Sequence, residues 1–384
     1  MSPLASIIGL GQSGLSREPL GTARDLAIEA VAAAVRDAGL AMADLDGLLI
    51  AKSPSAPLDT LPLHLKNDLG MGELGLLANV EGEGTSTLQA VQYAALAIRQ
   101  GMARRVACVF ADARVASGGA GQGFAKSMDV SGLQDWDGRQ GLFGPVGAYA
   151  LLASEQMARY GWTEDDLAAY AIACRRWAQL NPAAQVQDAL TPQDHRQSRH
   201  IATPLRLLDC AFPINGAAAV IVAARTTAAH GGHAPVHVLG MGQGHSDGIG
   251  PGADALGGAR RASGTALSMA GLSIGDITQL QAYDPFSSVG LALIGGYGVC
   301  EPQRAGEFVR GGHTSPGGRL PVNTGGGHLS GFYLQGMTPL IEAVTQARGE
   351  AGARQCASGP ILVGGVGGCL EYHAALVLAP GGEA

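Results

Sequence analysis

The sequence predicts an α/β fold assembled from a duplicated unit, and three observations carry that expectation. Short apolar runs of strand type alternate with helical patterns, a stretch of the first half returns in the second, and the composition is that of a chain with a large packed core. Hydrophobic residues make up 46% and charged residues 15% of the 384, far from the balance of a disordered chain.

In chain order, SIIGLG at 6–11 reads as a strand, 21–38 as a helix and DGLLIA at 46–51 as a second strand. A helix then starts near 85 and VACVFADA at 106–113 closes a βαβαβ unit. Strands with so few polar alternations are covered on both faces, so a buried and largely parallel sheet is expected. The repeat follows the same order. GLGQ at Gly9 to Gln12 returns as GMGQ at Gly240 to Gln243, and AVRDAGLAMADLDGLLIA from Ala34 is echoed by ALSMAGLSIGDITQLQAY from Ala266. Gly39 and Gly271 each follow a helical pattern and precede an Asp-containing turn, as a helix-ending glycine does.

The domain expectation is therefore two halves, 1–225 and 233–384, with an insertion at about 114–205 that separates VFADA from the strand AAAVIVAA at 217–224. The insertion holds a Gly/Ser-rich loop, Ser117 to Gly123, a helical stretch with Trp162 and Trp177, and the polar run PQDHRQSRH. It reads either as a specificity element or as a structural cap.

Charge and cysteine usage narrow the function classes. A net charge of -7 without a Lys/Arg run argues against nucleic acid and anionic membranes. Cys108, Cys174, Cys210, Cys300, Cys356 and Cys369 show neither a CxxC pair nor zinc-site spacing, so reduced thiols and no metal are expected. No apolar stretch reaches the roughly 18 residues that span a bilayer and no leader pattern opens the chain, so the cytoplasm is the expected location. GLGQSG is an incomplete GxGxxG and is discounted as a dinucleotide loop.

Five stretches carry a family resemblance: AIEAVAAAVRDAGL, EGEGTSTLQAVQYAALAIRQGMARRVACVF, PLRLLDCAFPINGAAAVIV, YDPFSSVGLALIGGYGVCE and GGRLPVNTGGGHLSGFYLQGM. Together they resemble the thiolase superfamily, in its sterol-carrier or lipid-transfer branch. The resemblance implies a thiolase fold: two duplicated βαβαβ halves forming a layered αβαβα core, with a loop and helical insertion in the first half.

The family's catalytic positions are all altered. Against a motif resembling CxSGLQAV the chain reads Gly84, Thr85, Ser86, Thr87, Leu88, Gln89, Ala90, Val91, so glycine stands where the nucleophilic cysteine belongs. Thiolysis needs a thiolate at a helix N-terminus, and Gly84 supplies none. Thr85 and Ser86 read as capping hydroxyls or, less simply, as alcohol nucleophiles. Tyr333 falls at the histidine of the GHP segment, Tyr283 in Tyr283-Asp284-Pro285-Phe286 at the Asn or His before the acidic residue, and Leu362 at the Cys-x-Gly position. Cys369, seven residues on, is poorly spaced to replace it.

Two phenols at catalytic positions can donate and accept protons while presenting apolar bodies to a lipid. Their ordinary pKa near 10 requires tuning by burial or a neighbour, and Asp284 and His328 are at hand in the sequence. This suits retro-aldol cleavage of a β-hydroxyacyl-CoA, in which the hydroxyl loses its proton, the Cα–Cβ bond breaks and the enolate is stabilised and protonated. Tyr283, Tyr333, Asp284 and His328 are thus the catalytic candidates; Gly84, Thr85, Asn323, Gly326 and Gly327 are the candidates for holding substrate and oxyanion.

The pattern resembles the aldolase subgroup of the lipid-transfer branch, which cleaves sterol or bile-acid side chains. That resemblance implies acyl-CoA as substrate with no cofactor in this chain, a homodimer, and a separate small partner of zinc-ribbon and OB-fold type. Two other readings stand beside it: a non-catalytic acyl-CoA or lipid-binding protein, with Tyr283 a core residue at a strand end, Tyr333 a core residue inside a helix that follows a Gly-rich turn and His328 a cap of that helix, and a β-ketoacyl-CoA thiolase or acyltransferase using another residue. His245, His313 and His373 read as structural or solvated.

Overall fold

The computed structural model describes residues 3–53, 62–113, 140–142, 144–225, 231–246 and 254–381, and the Gly/Ser-rich loop of the insertion lies outside them. The first half contributes β1 (Ala5–Gln12), α1 (Ala23–Asp37), β2 (Gly47–Ala51), α2 (Pro62–Asp68), β3 (Leu76–Val80), α3 (Ser86–Arg99) and β4 (Arg105–Ala113). There follow α4 (Pro145–Tyr160), α5 (Glu164–Ala178), α6 (Pro192–Gln197), the hairpin β5 (His200–Ala202) and β6 (Leu205–Arg206), and β7 (Asn215–Ala223). The second half comprises β8 (Val236–His245), α7 (Gly257–Ala270), β9 (Gln279–Ala282), α8 (Ser287–Gly296), α9 (Ala305–Arg310), α10 (Met337–Ala347), β10 (Ile361–Gly367) and β11 (Tyr372–Pro380).

Nine strands form one hydrogen-bonded sheet in the order β3-β2-β4-β7-β1-β8-β11-β10-β9. Its halves mirror each other about the β1–β8 seam, where only Ala5 to Ile7 pair with Val236 to Val238. Helices α3 and α10 each touch strands of both halves, whereas α1 packs on β1, β4 and β7 and α7 on β8 and β11. The layers therefore run αβαβα, with the α3/α10 layer in the middle. Val322 makes an isolated parallel bridge to Leu280 of β9, in the place that β3 holds beside β2.

The GxGQ repeat has a steric cause. A Cβ on Gly9 or Gly11 would lie 2.4 Å and 2.2 Å from backbone atoms of Ala34 in α1; on Gly240 or Gly242 it would lie 2.0 Å from the Ala266 carbonyl and 2.2 Å from that of Ala262, both in α7. In each half the outer helix lies directly on a strand whose facing positions must be bare. Gly39 and Gly271 share φ of 66°, the left-handed conformation that ends a helix.

Strand direction departs from expectation. Only β2–β3, β2–β4 and β9–β10 are parallel, while the other five neighbouring pairs are antiparallel. The apolar runs report burial on both faces, not direction, and the short turn joining β10 to β11 can only build an antiparallel pair.

Candidate active site

Three segments meet where the parallel strands end. Tyr283 follows β9 directly, its N–H donating to the Gly364 carbonyl of β10 at 2.9 Å. Tyr333 follows a π-helical turn, Gly327–Gly331, and lies outside any helix, contrary to the helical position expected for it. Phe332 is extended there, and Thr338 fixes the strip by donating to the Phe332 carbonyl (3.2 Å) and accepting from the Leu334 N–H (2.9 Å). The third segment is the turn 82–85 at the start of α3, which carries Gly84.

The two tyrosine hydroxyls lie 2.8 Å apart, and both side chains are buried. Burial, with the neighbouring phenols of Tyr333 and Tyr149, pushes the Tyr283 pKa well above its ordinary value, so this phenol holds its proton. Gly84 explains how Tyr283 fits. A Cβ there would sit 2.0 Å from the Val366 carbonyl and 2.7 Å from Cζ of Tyr283, so the phenol ring occupies the space into which a side chain at 84 would project.

His328 is fully buried beside the pair, its ring edge-on to Tyr283 and Tyr333 with centroids 4.8 Å and 5.1 Å away. Its Nε2 faces the Gln335 carbonyl at 2.8 Å, an acceptor only, and so carries a proton. Its Nδ1 lies 2.6 Å from Oδ1 of Asp284 and accepts the Asp284 backbone N–H at 3.1 Å. The same oxygen accepts the His328 N–H at 2.8 Å. Gly327, at φ 58°, leaves room for this carboxylate: a Cβ would come within 2.3 Å of Asp284 Oδ2.

A family model described as "Thiolase C-terminal domain-like" matches residues 252–380. The chain is 32% identical to a steroid side-chain-cleaving aldolase of Thermomonospora curvata, over 90% of this chain and 91% of the relative. It is 31% identical to a 17-hydroxy-3-oxo-4-pregnene-20-carboxyl-CoA lyase of Mycobacterium tuberculosis, over 91% and 93%. The chain belongs to the thiolase superfamily, in its side-chain-cleaving aldolase branch. A solved structure named as an Ltp2-ChsH2(DUF35) aldolase superposes with a TM-score of 0.88 at 30% identity, covering 99% of this chain and 98% of that one.

Within this thiolase-fold site several expected binding residues are committed elsewhere. Thr85 donates its hydroxyl to the Gly82 carbonyl at 2.6 Å, and Ser86 accepts the Gly82 N–H at 2.8 Å; both close the turn that leads into α3, and neither accepts a helix N–H as a cap would. Asn323 spends its whole amide: Oδ1 accepts the Ala282 N–H (2.7 Å), and Nδ2 donates to the Ala282 carbonyl (2.9 Å) and the Tyr170 hydroxyl (3.1 Å). The Gly326 N–H donates to the Asn323 carbonyl at 2.8 Å and is not aimed at a substrate. Leu362 is buried in β10 between Leu280 and Val377; the residue of β10 that reaches Gly84 is Val366.

Other residues at the site carried no signal in the sequence. Tyr149 of α4 packs its ring, tilted by 39°, against Phe286 with centroids 4.8 Å apart, and donates its hydroxyl to the Gly368 carbonyl. Glu83, held at φ 50°, accepts the Gly368 N–H at 2.6 Å. Cys369, which the sequence does single out as poorly spaced for the Cys-x-Gly position, is partly buried in that same turn. Burial, reinforced by Cys369 and Glu83, raises the Tyr149 pKa well above its ordinary value. Behind the site, buried Asp209 joins His195 (2.8 Å), Ser287 (2.6 Å) and the Arg206 N–H (2.9 Å), tying the insertion to the start of α8. Among the described residues no cluster of three or more His, Cys, Asp or Glu is placed to hold a metal, and no helix is long and apolar enough to cross a membrane.

Proposed function

We infer that the chain cleaves a β-hydroxyacyl-CoA bearing a steroid or similar lipid side chain by a retro-aldol reaction, giving a ketone or aldehyde and a shorter acyl-CoA. The observation that carries this is the hydrogen-bonded pair Tyr283–Tyr333, seated where Gly84 leaves the nucleophile's space to a phenol.

The chemistry balances within that pair. Tyr333, as phenolate, takes the proton of the substrate hydroxyl; the alkoxide electrons form the new carbonyl while the Cα–Cβ electrons become the thioester enolate. Tyr283, which burial keeps protonated, delivers its proton to Cα. The proton gained by Tyr333 then crosses the 2.8 Å contact to Tyr283, and the starting state returns with no net proton consumed. Only protons and electron pairs move, so acyl-CoA enters as substrate and the scheme calls on no cofactor.

Acyl transfer is the less supported reading, because the buried thiols of the site region are unsuited to it: Cys174 is pushed well above its ordinary pKa by burial and by Asp284. A purely binding role leaves the paired phenols without a use. A homodimer is proposed, supported by the exposed edge strand β3 and the apolar side chains around it. A separate zinc-ribbon/OB-fold partner is also proposed, supported by the name of the solved relative, which joins its aldolase chain to ChsH2(DUF35).

The test is incubation with a tertiary β-hydroxyacyl-CoA, with and without such a partner, following ketone and acyl-CoA. Tyr283→Phe and Tyr333→Phe should each lower turnover by about 10²- to 10⁴-fold while the fold stays intact. Release of neither product by the unaltered protein in both arms overturns the retro-aldol reading.

A further inference from the structure

We propose that helix α5 of the insertion belongs to the catalytic apparatus, with Tyr170 and Cys174 acting as positioning residues that fix Asp284 and, through it, His328 and the tyrosine pair. The proposal rests on the retro-aldol reading and assigns that site two residues from a segment otherwise read as a cap or a specificity element.

Tyr170 and Cys174 stand four residues apart on α5 and so face the same way. Both reach one oxygen: the Tyr170 hydroxyl donates to Asp284 Oδ2 at 3.2 Å and the Cys174 thiol to the same atom at 3.5 Å. The other oxygen, Oδ1, takes the two His328 contacts. Asp284, His328, Tyr170 and Cys174 are all buried, so the protein supplies the carboxylate's solvation on both faces. Loss of donors on one face frees the carboxylate to rotate away from His328.

The Tyr170 hydroxyl does more than donate. It accepts the Asn323 amide at 3.1 Å, and that amide clamps both backbone groups of Ala282. One hydroxyl thereby connects the residue before Tyr283 with the residue after it. The ring is seated to match: a Cβ on Gly290 of α8 would fall 2.0 Å from Tyr170 Cζ, so α8 presents a bare position against its face. Burial and the Asp284 charge raise the pKa of both groups well above their ordinary values, which keeps them protonated as donors.

Tyr170→Phe keeps the ring and removes only the hydroxyl; Cys174→Ala removes the second donor and Cys174→Ser restores one. The expected result for Tyr170→Phe and Cys174→Ala is a fall in kcat of about 10- to 100-fold, the scale of a misplaced catalytic group. KM should stay within about twofold, because substrate contacts are untouched. Cys174→Ser should recover most of the loss, which a packing role for the thiol would not require. Crystal structures of Tyr170→Phe and of the unaltered protein give a readout free of activity: the Tyr283–Tyr333 hydroxyl contact should lengthen beyond hydrogen-bonding distance in the variant. An unmoved Asp284, His328 and tyrosine pair in the variant overturns the positioning role whatever the turnover. So does an unchanged kcat in both variants, or a Cys174→Ala loss that serine does not restore. An unaltered protein that releases no ketone, by contrast, overturns the retro-aldol reading and leaves the crystallographic comparison to decide the positioning role.

Discussion

At position 84 the absence of a side chain is a condition for the presence of another. Gly84 and Tyr283 depend on each other in space, since the phenol fills the volume above Gly84 and the Val366 carbonyl closes it from the other side. Gly84→Ala puts a methyl group 2.0 Å from that carbonyl, an atom of β10 that cannot swing away. The expected cost is about 1–3 kcal/mol in urea unfolding, with lost aldol cleavage as Tyr283 is displaced. Gly84→Cys should fare no better and should yield no CoA-dependent thiolysis, because the Tyr283 ring and the Val366 carbonyl occupy the space a thiol would need. A stable, fully active Gly84→Ala protein would show that Tyr283 does not need this space. The altered positions themselves were legible in the sequence as departures from a motif. Their coupling was not, because it depends on a distance between residues far apart in the chain. The same limit hid Asn323, Gly326 and Thr85, whose polar atoms are taken up by backbone groups that only the folded chain brings near.

At the scale of elements, periodicity located β1, β2, β4, β7, α1 and α3 because each buries a continuous apolar face. It passed over β3, whose side chains alternate between partial burial and exposure, and it placed Tyr333 in a helix because nothing in GGGHLSGFY marks a π-helical turn followed by extended chain. His373 shows how two elements impose a property that sequence alone hides. It sits near the start of β11, fully buried against α7, where a Cβ on Gly258 would come 2.6 Å from its ring. Burial lowers its pKa from 6.5 to about 4, against the opposing effect of its 3.0 Å contact with the Leu370 carbonyl. The folded value lies below the unfolded one, so the unfolded chain takes up the proton first as pH falls. The stability contribution is complete above pH 6.5, declines through the interval and is lost by about pH 4, a change of about 3 kcal/mol. Urea unfolding of His373→Gln and of the unaltered protein should give a difference that shifts in favour of the variant by that order between pH 7 and pH 4. A difference that stays constant over the same range removes His373 as a source of acid sensitivity.

At the scale of the whole molecule, the sheet order ends in β3 and β9, and among the described residues no strand covers the outer edge of β3. Among the described residues β3 pairs only with β2, and along it Leu77 and Asn79 face outward. Beside it α3 exposes Tyr93 (41%) and Leu96 (44%), and Met102 (57%) follows the helix where its carbonyl meets Gly75 at the start of β3. An unpaired strand edge flanked by exposed apolar side chains is a surface that a monomer in water avoids. A second copy meeting it about a twofold axis would pair the two β3 edges and cover both helices with one self-complementary patch. Leu96→Glu buries a charge at that contact and should weaken the dimer by at least about 30-fold, the loss typical of one central interface residue. Analytical ultracentrifugation over a concentration series measures this, and an unaltered protein that stays monomeric at high concentration overturns the proposed dimer. Gly84, Tyr283, Asp284, His328 and Tyr333 all come from one chain, with Gly84 in the turn that leads into α3 and Leu96 near the end of that helix. The Leu96→Glu monomer should therefore keep the paired phenols, and any turnover it loses measures how far the dimer holds α3, and with it the space above Gly84, in place.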